Sequence, residues 1–192
     1  RMMGGRHENY VTPERKIPSL EEIPTKVWES NIPIGNDWGY VPHDTFKSSQ
    51  ELVDTLIDVV SKGGNLILGV GPTPEGTFTK EETQRLLEVG DWLEQYGEGI
   101  YETRARPEAW TENWHLTYSK DQKTHYAFRS ITTNLQPRIF LKEIHADEKS
   151  VITDLATNQS LTIHGTGENA YIASSEVHQP ELGAVGIRIS TH

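Results

Sequence analysis

Two glutamates and one tryptophan are placed where their side chains could do chemistry. Glu14 ends a Thr12-Pro13-Glu14 segment, Glu29 follows Trp28, and Trp38 lies in the run Asn36-Asp37-Trp38-Gly39-Tyr40. Proline fixes the backbone ahead of Glu14, so its carboxyl can be presented rigidly to a pocket. A carboxyl serves as an acid near neutrality only when burial or a second carboxylate keeps it protonated. The plainer readings stay open. Glu14 also reads as a solvated loop residue beside Arg15 and Lys16, Glu29 as a buried ion-pair partner, and Trp38 as core.

Other chemistries are weaker. Asn65 to Gly76 carries glycines ahead of a helix, which could suggest a phosphate cradle. The pattern G-x-x-x-x-G-K-[ST] is absent, and Pro72 and Pro74 remove two backbone donors that a cradle would use. None of the eight histidines forms the i, i+4 pair of a zinc protease helix, so no metal and no cofactor is expected. Without cysteine there are no disulfides, thiolate nucleophiles or zinc-thiolate sites. Asn158-Gln159-Ser160 is a glycosylation acceptor only in a secretory setting.

The 192 residues suit one ordinary domain or two small ones. A formal net charge of −10 argues against a nucleic-acid partner, because phosphate binding needs clustered positive charge. No apolar run reaches the roughly 20 residues of a membrane helix, so no membrane span is expected. The chain starts at Arg1 with no signal-peptide layout, so a fragment is one expectation.

The elements that must hold these residues change character near residue 105. Residues 1–47 are rich in proline and read as long loops with short strands. Ser48-x-x-Glu51 is a capping box opening a helix to Ser61, with Leu52, Val53, Leu56, Ile57, Val59 and Val60 as a wide apolar stripe. Gly63-Gly64 stops it. The continuous run Asn65–Val70 reads as a strand buried on both faces, as in a parallel sheet. Thr79-x-x-Glu82 opens a second helix to about Tyr96, with Leu86, Leu87, Val89, Trp92, Leu93 and Tyr96 as apolar positions and Gly97 as its C-cap. Helix, strand, loop, helix is α/β order. Afterwards come seven short runs: 114–119, 124–130, 138–144, 150–155, 160–164, 169–174 and 185–190. Their spacing of roughly ten residues is that of an antiparallel sandwich.

Three stretches, in this order and spacing, resemble the C-terminal part of family 29 α-L-fucosidases. They are Asn9–Glu14, then Trp28-Glu29 with Asn36–Tyr40, then Asp58–Gly76, followed by Gly90–Leu93 and Gly97–Tyr101. The resemblance is strong over residues 9–103 and extends to the remainder only in domain type. It implies a fold class of α/β plus all-β: the C-terminal part of a (β/α)8-like barrel over 1–105, then an antiparallel β-sandwich over 106–192. A complete barrel takes about 250 residues, so most of it would lie outside these positions.

The implied reaction is hydrolysis of terminal α-L-fucosides with retention, which uses two carboxyl groups about 5–5.5 Å apart. The resemblance makes Glu14 the acid/base and Glu29 the alternative. It makes Trp38 a platform for the apolar face of fucose, and Arg1 a second sugar-binding residue. The family's nucleophilic Asp precedes the Thr-Pro-Glu segment by several dozen residues and is not in this sequence, so this chain alone is expected to be inactive. The implied partners are fucosylated oligosaccharides or glycoconjugates, and Thr12-Pro13-Glu14 leans toward α1,3/1,4-linked fucose. The oligomeric state is open, and so is the cellular address, with a periplasmic or secreted one compatible. The alternative is a non-hydrolytic glycan-binding β-sandwich, with Trp110, Trp114, Tyr118, Tyr126 and Tyr171 as stacking surface or as core.

Overall fold

The computed structural model describes residues 9–107, 111 and 113–190. The chain divides into two compact units between Asp91 and Trp92, inside a helix.

The first unit is built on parallel pairing. Residues 11–14 bridge to 28–31 (Val11 opposite Trp28, Glu14 opposite Asn31). The bridging continues into strand β1 (Glu29–Pro33), which pairs with β2 (Asn65–Gly69) from Glu29–Asn65 to Pro33–Gly69. Three chain segments therefore run side by side in one direction. Side chains alternate between the two faces of such a sheet. Trp28, Ser30 and Ile32 fill one face and are buried. Thr12, Glu14, Glu29, Asn31, Asn65 and Ile67 share the other.

That second face is open, which corrects one expectation. The run Asn65–Val70 reads as buried on both faces, yet Asn65 is exposed and Ile67 is 41% exposed. Among the described residues β2 has one strand neighbour, β1, and on the face shared with the glutamates Asn65 and Ile67 stay exposed while Glu29 and Asn31 are half-buried. Apolar content signals a strand but not how many of its faces are covered.

Helix α1 (Ser49–Ser61) forms as its capping box requires. Ser48 Oγ accepts from Glu51 N, and Glu51 Oε2 accepts from Ser48 N at 2.8 Å. Leu52, Val53, Ile57 and Val59 are its buried stripe. Gly63, at φ +85°, turns the chain out of the helix. Gly64 then passes under Trp28, where a Cβ would come within 2.5 Å of the ring.

Helix α2 (Lys80–Tyr96) begins at the second box. Thr79 Oγ1 accepts from Glu82 N, and Glu82 Oε2 accepts from Thr79 N at 2.9 Å. Two readings of this helix need correction. Leu87, expected on its apolar stripe, is exposed. Gly97 is not a left-handed cap: the chain tightens into a 3-10 turn, Gly97–Gly99, and Gly97 is instead required because Tyr101 packs where its Cβ would be.

The second unit starts within α2 and is antiparallel. Its strands are β3 (Thr103–Ala105), β4 (His115–Ser119), β5 (Thr124–Ser130), β6 (Arg138–Phe140), β7 (Val151–Asp154), β8 (Ile163–His164), β9 (Tyr171–Ala173) and β10 (Ala184–Ser190). They form a five-stranded sheet in the order β3-β4-β5-β10-β7 and a three-stranded sheet in the order β6-β9-β8. All seven expected runs contain a strand. The run 138–144 keeps only three strand residues, because Leu141–Ile144 coils into a 3-10 turn that buries Leu141 and Ile144. One core joins both sheets: Leu116, Ala127, Ile152, Ile187 and Ile189 meet Ile139 and Ile172.

The far face of the five-stranded sheet is covered by the end of α2. Trp92 stacks on Tyr96 at 5.1 Å, meets Phe128 at 6.0 Å, and donates its indole N–H to Ala184 O. Gly186 leaves the room this needs, since a Cβ there would lie 2.8 Å from Tyr96.

Candidate active site

The parallel register fixes where the two glutamates stand. Glu14 is exposed at the C-terminal end of the first parallel segment, directly across from Asn31. Pro13 O accepts from Asn31 N at 3.0 Å, and Asn31 O accepts from Arg15 N at 2.9 Å, so Glu14 is clamped on both sides. Arg15 then leaves the sheet at φ +53°, an uncommon conformation for a residue with a Cβ. Glu29 is half-buried on the same face, but at the N-terminal end of β1. The sheet thus brings both carboxylates to one surface at different depths, with Glu14 nearer the ends where the strands finish.

Trp38 stands at that same finishing end. Its ring lies against Gly69, the last residue of β2, where a Cβ would meet it at 3.4 Å. The Arg15 guanidinium carbon sits 5.1 Å from its ring centroid, a cation–π contact. The ring remains 37% exposed. Glu14, through its neighbour Arg15, and Trp38 therefore come together. Arg1 lies outside the described residues.

The loops beneath Trp38 are fastened by two carboxylates that the sequence reading missed. Asp44 Oδ2 accepts from Asn36 N at 3.0 Å and Asp37 N at 3.4 Å, while its Oδ1 accepts from Thr45 N at 2.7 Å. Glu82 Oε1 accepts from Gly71 N at 2.8 Å. The backbone of Gly71 packs directly on that of Gly39 and Tyr40, where a Cβ would come within 2.7 Å. A small cavity of about 10 Å³ remains between these loops, lined by Gly35, Tyr40, Asp44, Phe46, Gly71 and Glu82. Its size admits no more than a water molecule. For Glu82 the signal was half present, since the capping box names the residue but not the partner of its second oxygen. Asp44 has no comparable motif, and Arg15 read only as a solvated neighbour of Glu14.

The aromatic residues of the alternative reading separate. Trp114 and Tyr126 are core, at 0% and 5% exposed, and offer no stacking surface. Tyr171 is half-buried, flanked by the Arg138 guanidinium at 4.8 Å and the His164 ring at 5.3 Å. Tyr118 pairs with His125 across β4 and β5. Trp110 lies outside the described residues. Among the described residues no group of three His, Asp or Glu could hold a metal ion. No helix among them is long and apolar enough to cross a membrane.

Comparison with known proteins follows the same lines. A family model described as Alpha-L-fucosidase matches residues 1–98. The plasma alpha-L-fucosidase of Homo sapiens is 31% identical over 139 residues, which are 68% of this chain and 30% of that protein. Alpha-L-fucosidase isoenzyme 1 from Paenibacillus thiaminolyticus shares the fold at a TM-score of 0.81 and 23% identity, over 96% of this chain and 45% of its own. Thermotoga maritima alpha-fucosidase, solved with a mechanism-based inhibitor, gives a TM-score of 0.72 at 25% identity, over 97% of this chain and 44% of its own. The chain spans less than half the length of each of these relatives.

Proposed function

The chain belongs to the alpha-L-fucosidase family of glycoside hydrolases, family 29, as a C-terminal portion of it, and from that membership we propose that it supplies the acid/base half of a retaining exo-α-L-fucosidase site. In this reading residues 1–105 are the closing part of a (β/α)8 barrel and residues 106–192 a β-sandwich. The substrates are terminal α-L-fucosides of glycans, with α1,3/1,4-linked branches favoured.

Glu14 is the acid/base. Its proton passes to the glycosidic oxygen as the bond to the anomeric carbon breaks and an aspartate outside these 192 residues attacks that carbon. The resulting carboxylate then takes a proton from the water that releases fucose. Trp38 receives the apolar face and methyl group of the sugar on its ring. Glu29 shapes the floor of the site rather than transferring the proton.

The observation that supports Glu14 over Glu29 is strand direction. Sites on parallel barrels form where strands end, and residues at the strand starts serve stability. Glu14 is the last paired residue of its segment and stands one step nearer than Glu29 to the Pro33–Gly69 end where Trp38 packs, whereas Glu29 opens β1.

The test is substitution in the full native polypeptide. Glu14→Gln should lower kcat on a fucoside with a poor leaving group by about 10²–10⁴-fold. On an activated aryl fucoside, azide should restore turnover of Glu14→Ala with formation of the fucosyl azide of retained configuration. Glu29→Gln should keep most activity. Loss confined to Glu29→Gln would reverse the two roles. The isolated 192-residue chain should release no nitrophenol from an aryl α-L-fucoside.

A further inference from the structure

The segment that carries Trp38 has no regular secondary structure between β1 and α1, yet its backbone is held at several points by one side chain. We propose that Asp44 is the positioning residue for Trp38; this rests on the reading of Trp38 as a sugar platform.

Asp44 turns its carboxylate back on its own loop. It gathers the N–H groups of Asn36 and Asp37, the two residues just before Trp38, together with that of Thr45. Backbone donors aimed at a charged acceptor make strong, directional contacts. The room for this comes from Gly35, where a Cβ would sit 2.2 Å from Asp44 Oδ2. Lys47 fixes the far side of the loop by donating to Pro33 O at 2.7 Å and to Gly35 O at 3.3 Å. Downstream of Trp38, the Gly39–Tyr40 backbone rests on Gly71. The ring is thereby set over Gly69 by its backbone, with the Arg15 guanidinium against its face. Without Asp44 the two amides ahead of Trp38 lose their shared acceptor, and the loop that sets the ring loses its tie on that side.

The test is a double-mutant cycle on the full native polypeptide with an aryl α-L-fucoside. Trp38→Ala should raise KM roughly five- to tenfold with little change in kcat, as loss of one stacking contact implies. Asp44→Ala should raise KM to a similar degree, and Gly35→Ala should do the same by expelling the carboxylate. Asp44→Asn, which keeps one accepting oxygen, should fall between. The combined Asp44→Ala/Trp38→Ala protein should be no worse than Trp38→Ala alone, because both remove the same contact. A combined defect equal to the product of the two would overturn the proposal, as would an unchanged KM in Asp44→Ala beside a raised one in Trp38→Ala.

Iodide quenching of tryptophan fluorescence reads the positioning independently of any sugar. Asp44→Ala should add quenchable emission in the native background and none in a Trp38→Phe background. No added quenching overturns the role of Asp44. An unchanged KM in Trp38→Ala with added quenching in Asp44→Ala instead removes the sugar platform and leaves the positioning intact.

Discussion

Tyr126 places its hydroxyl 3.0 Å from Glu98 Oε1, and the same carboxylate holds the Arg188 guanidinium at 3.0 Å through its other oxygen. Burial, and then the charge of Glu98, push the phenol up to about 12 from its ordinary 10.0. An unfolded tyrosine loses its proton near 10, so above that pH the unfolded chain gains an ionisation that the folded one resists. The stabilisation is whole below pH 10 and is lost as pH rises toward 12. Burial pushes the Tyr96 phenol up as well, so in a spectrophotometric titration two tyrosines should still be protonated at pH 11 and one in the Tyr126→Phe protein; complete ionisation near pH 10, or no difference between the two proteins, would contradict the assignment. Single residues were unevenly legible in the sequence. Glu14 and Trp38 stood out through the segments around them. The pairing of Tyr126 with Glu98 did not, because 28 residues separate them and only the fold of β5 against the Gly97–Gly99 turn joins them. The core role of Trp114 and Tyr126 was one of two readings that composition alone could not separate.

Capping boxes were the most legible feature among the elements, since two side-chain identities at a fixed spacing satisfy specific backbone donors. Both helices start where their boxes require. What the spacing could not reveal is that the second box reaches beyond its helix. Glu82 is 1% exposed, and its remaining oxygen fastens Gly71 in the loop after β2. Removing it leaves the amides of Gly71 and Thr79 without their acceptor. Glu82→Ala should therefore cost about 2–3 kcal/mol in urea denaturation, more than a surface cap alone, which is worth about 1 kcal/mol. A loss under about 0.5 kcal/mol would mean that water replaces the carboxylate at both ends. Burial was the least legible property. The exposed faces of Ile67 and Leu87 depend on what lies opposite, and a strand or helix sequence does not record that.

In the whole molecule, the change of pattern near residue 105 marks where strands begin to dominate, whereas packing divides the chain thirteen residues or so earlier, inside α2. Trp92, Tyr96 and Ile100 are buried, and Trp92 and Tyr96 lie against Phe128, Ala184 and Gly186 of the five-stranded sheet. A piece beginning at residue 106 would bare that sheet face. Burying each large side chain contributes about 1.5–3 kcal/mol, so residues 88–192 should melt cooperatively and residues 106–192 should be weaker by several kcal/mol or unfolded. Circular dichroism melts of the two pieces decide this, and equal midpoints would show that the helix end contributes nothing.

The parallel register also decides where a second carboxylate could stand beside Glu14. Positions 14, 29 and 31 point to one surface, with 31 beside 14 and 29 one diagonal step from it. From strand rise and spacing, that step is roughly 8 Å and the sideways one about 4.8 Å. A single-base change turns an asparagine codon at position 31 into one for aspartate, which would set a second carboxylate level with Glu14 while every strand and helix stayed as it is. On the proposed assignment of Glu14, that change would set two carboxyl groups side by side on neighbouring strands, about 4.8 Å apart, so the choice of proton donor could pass between strands without any change of fold.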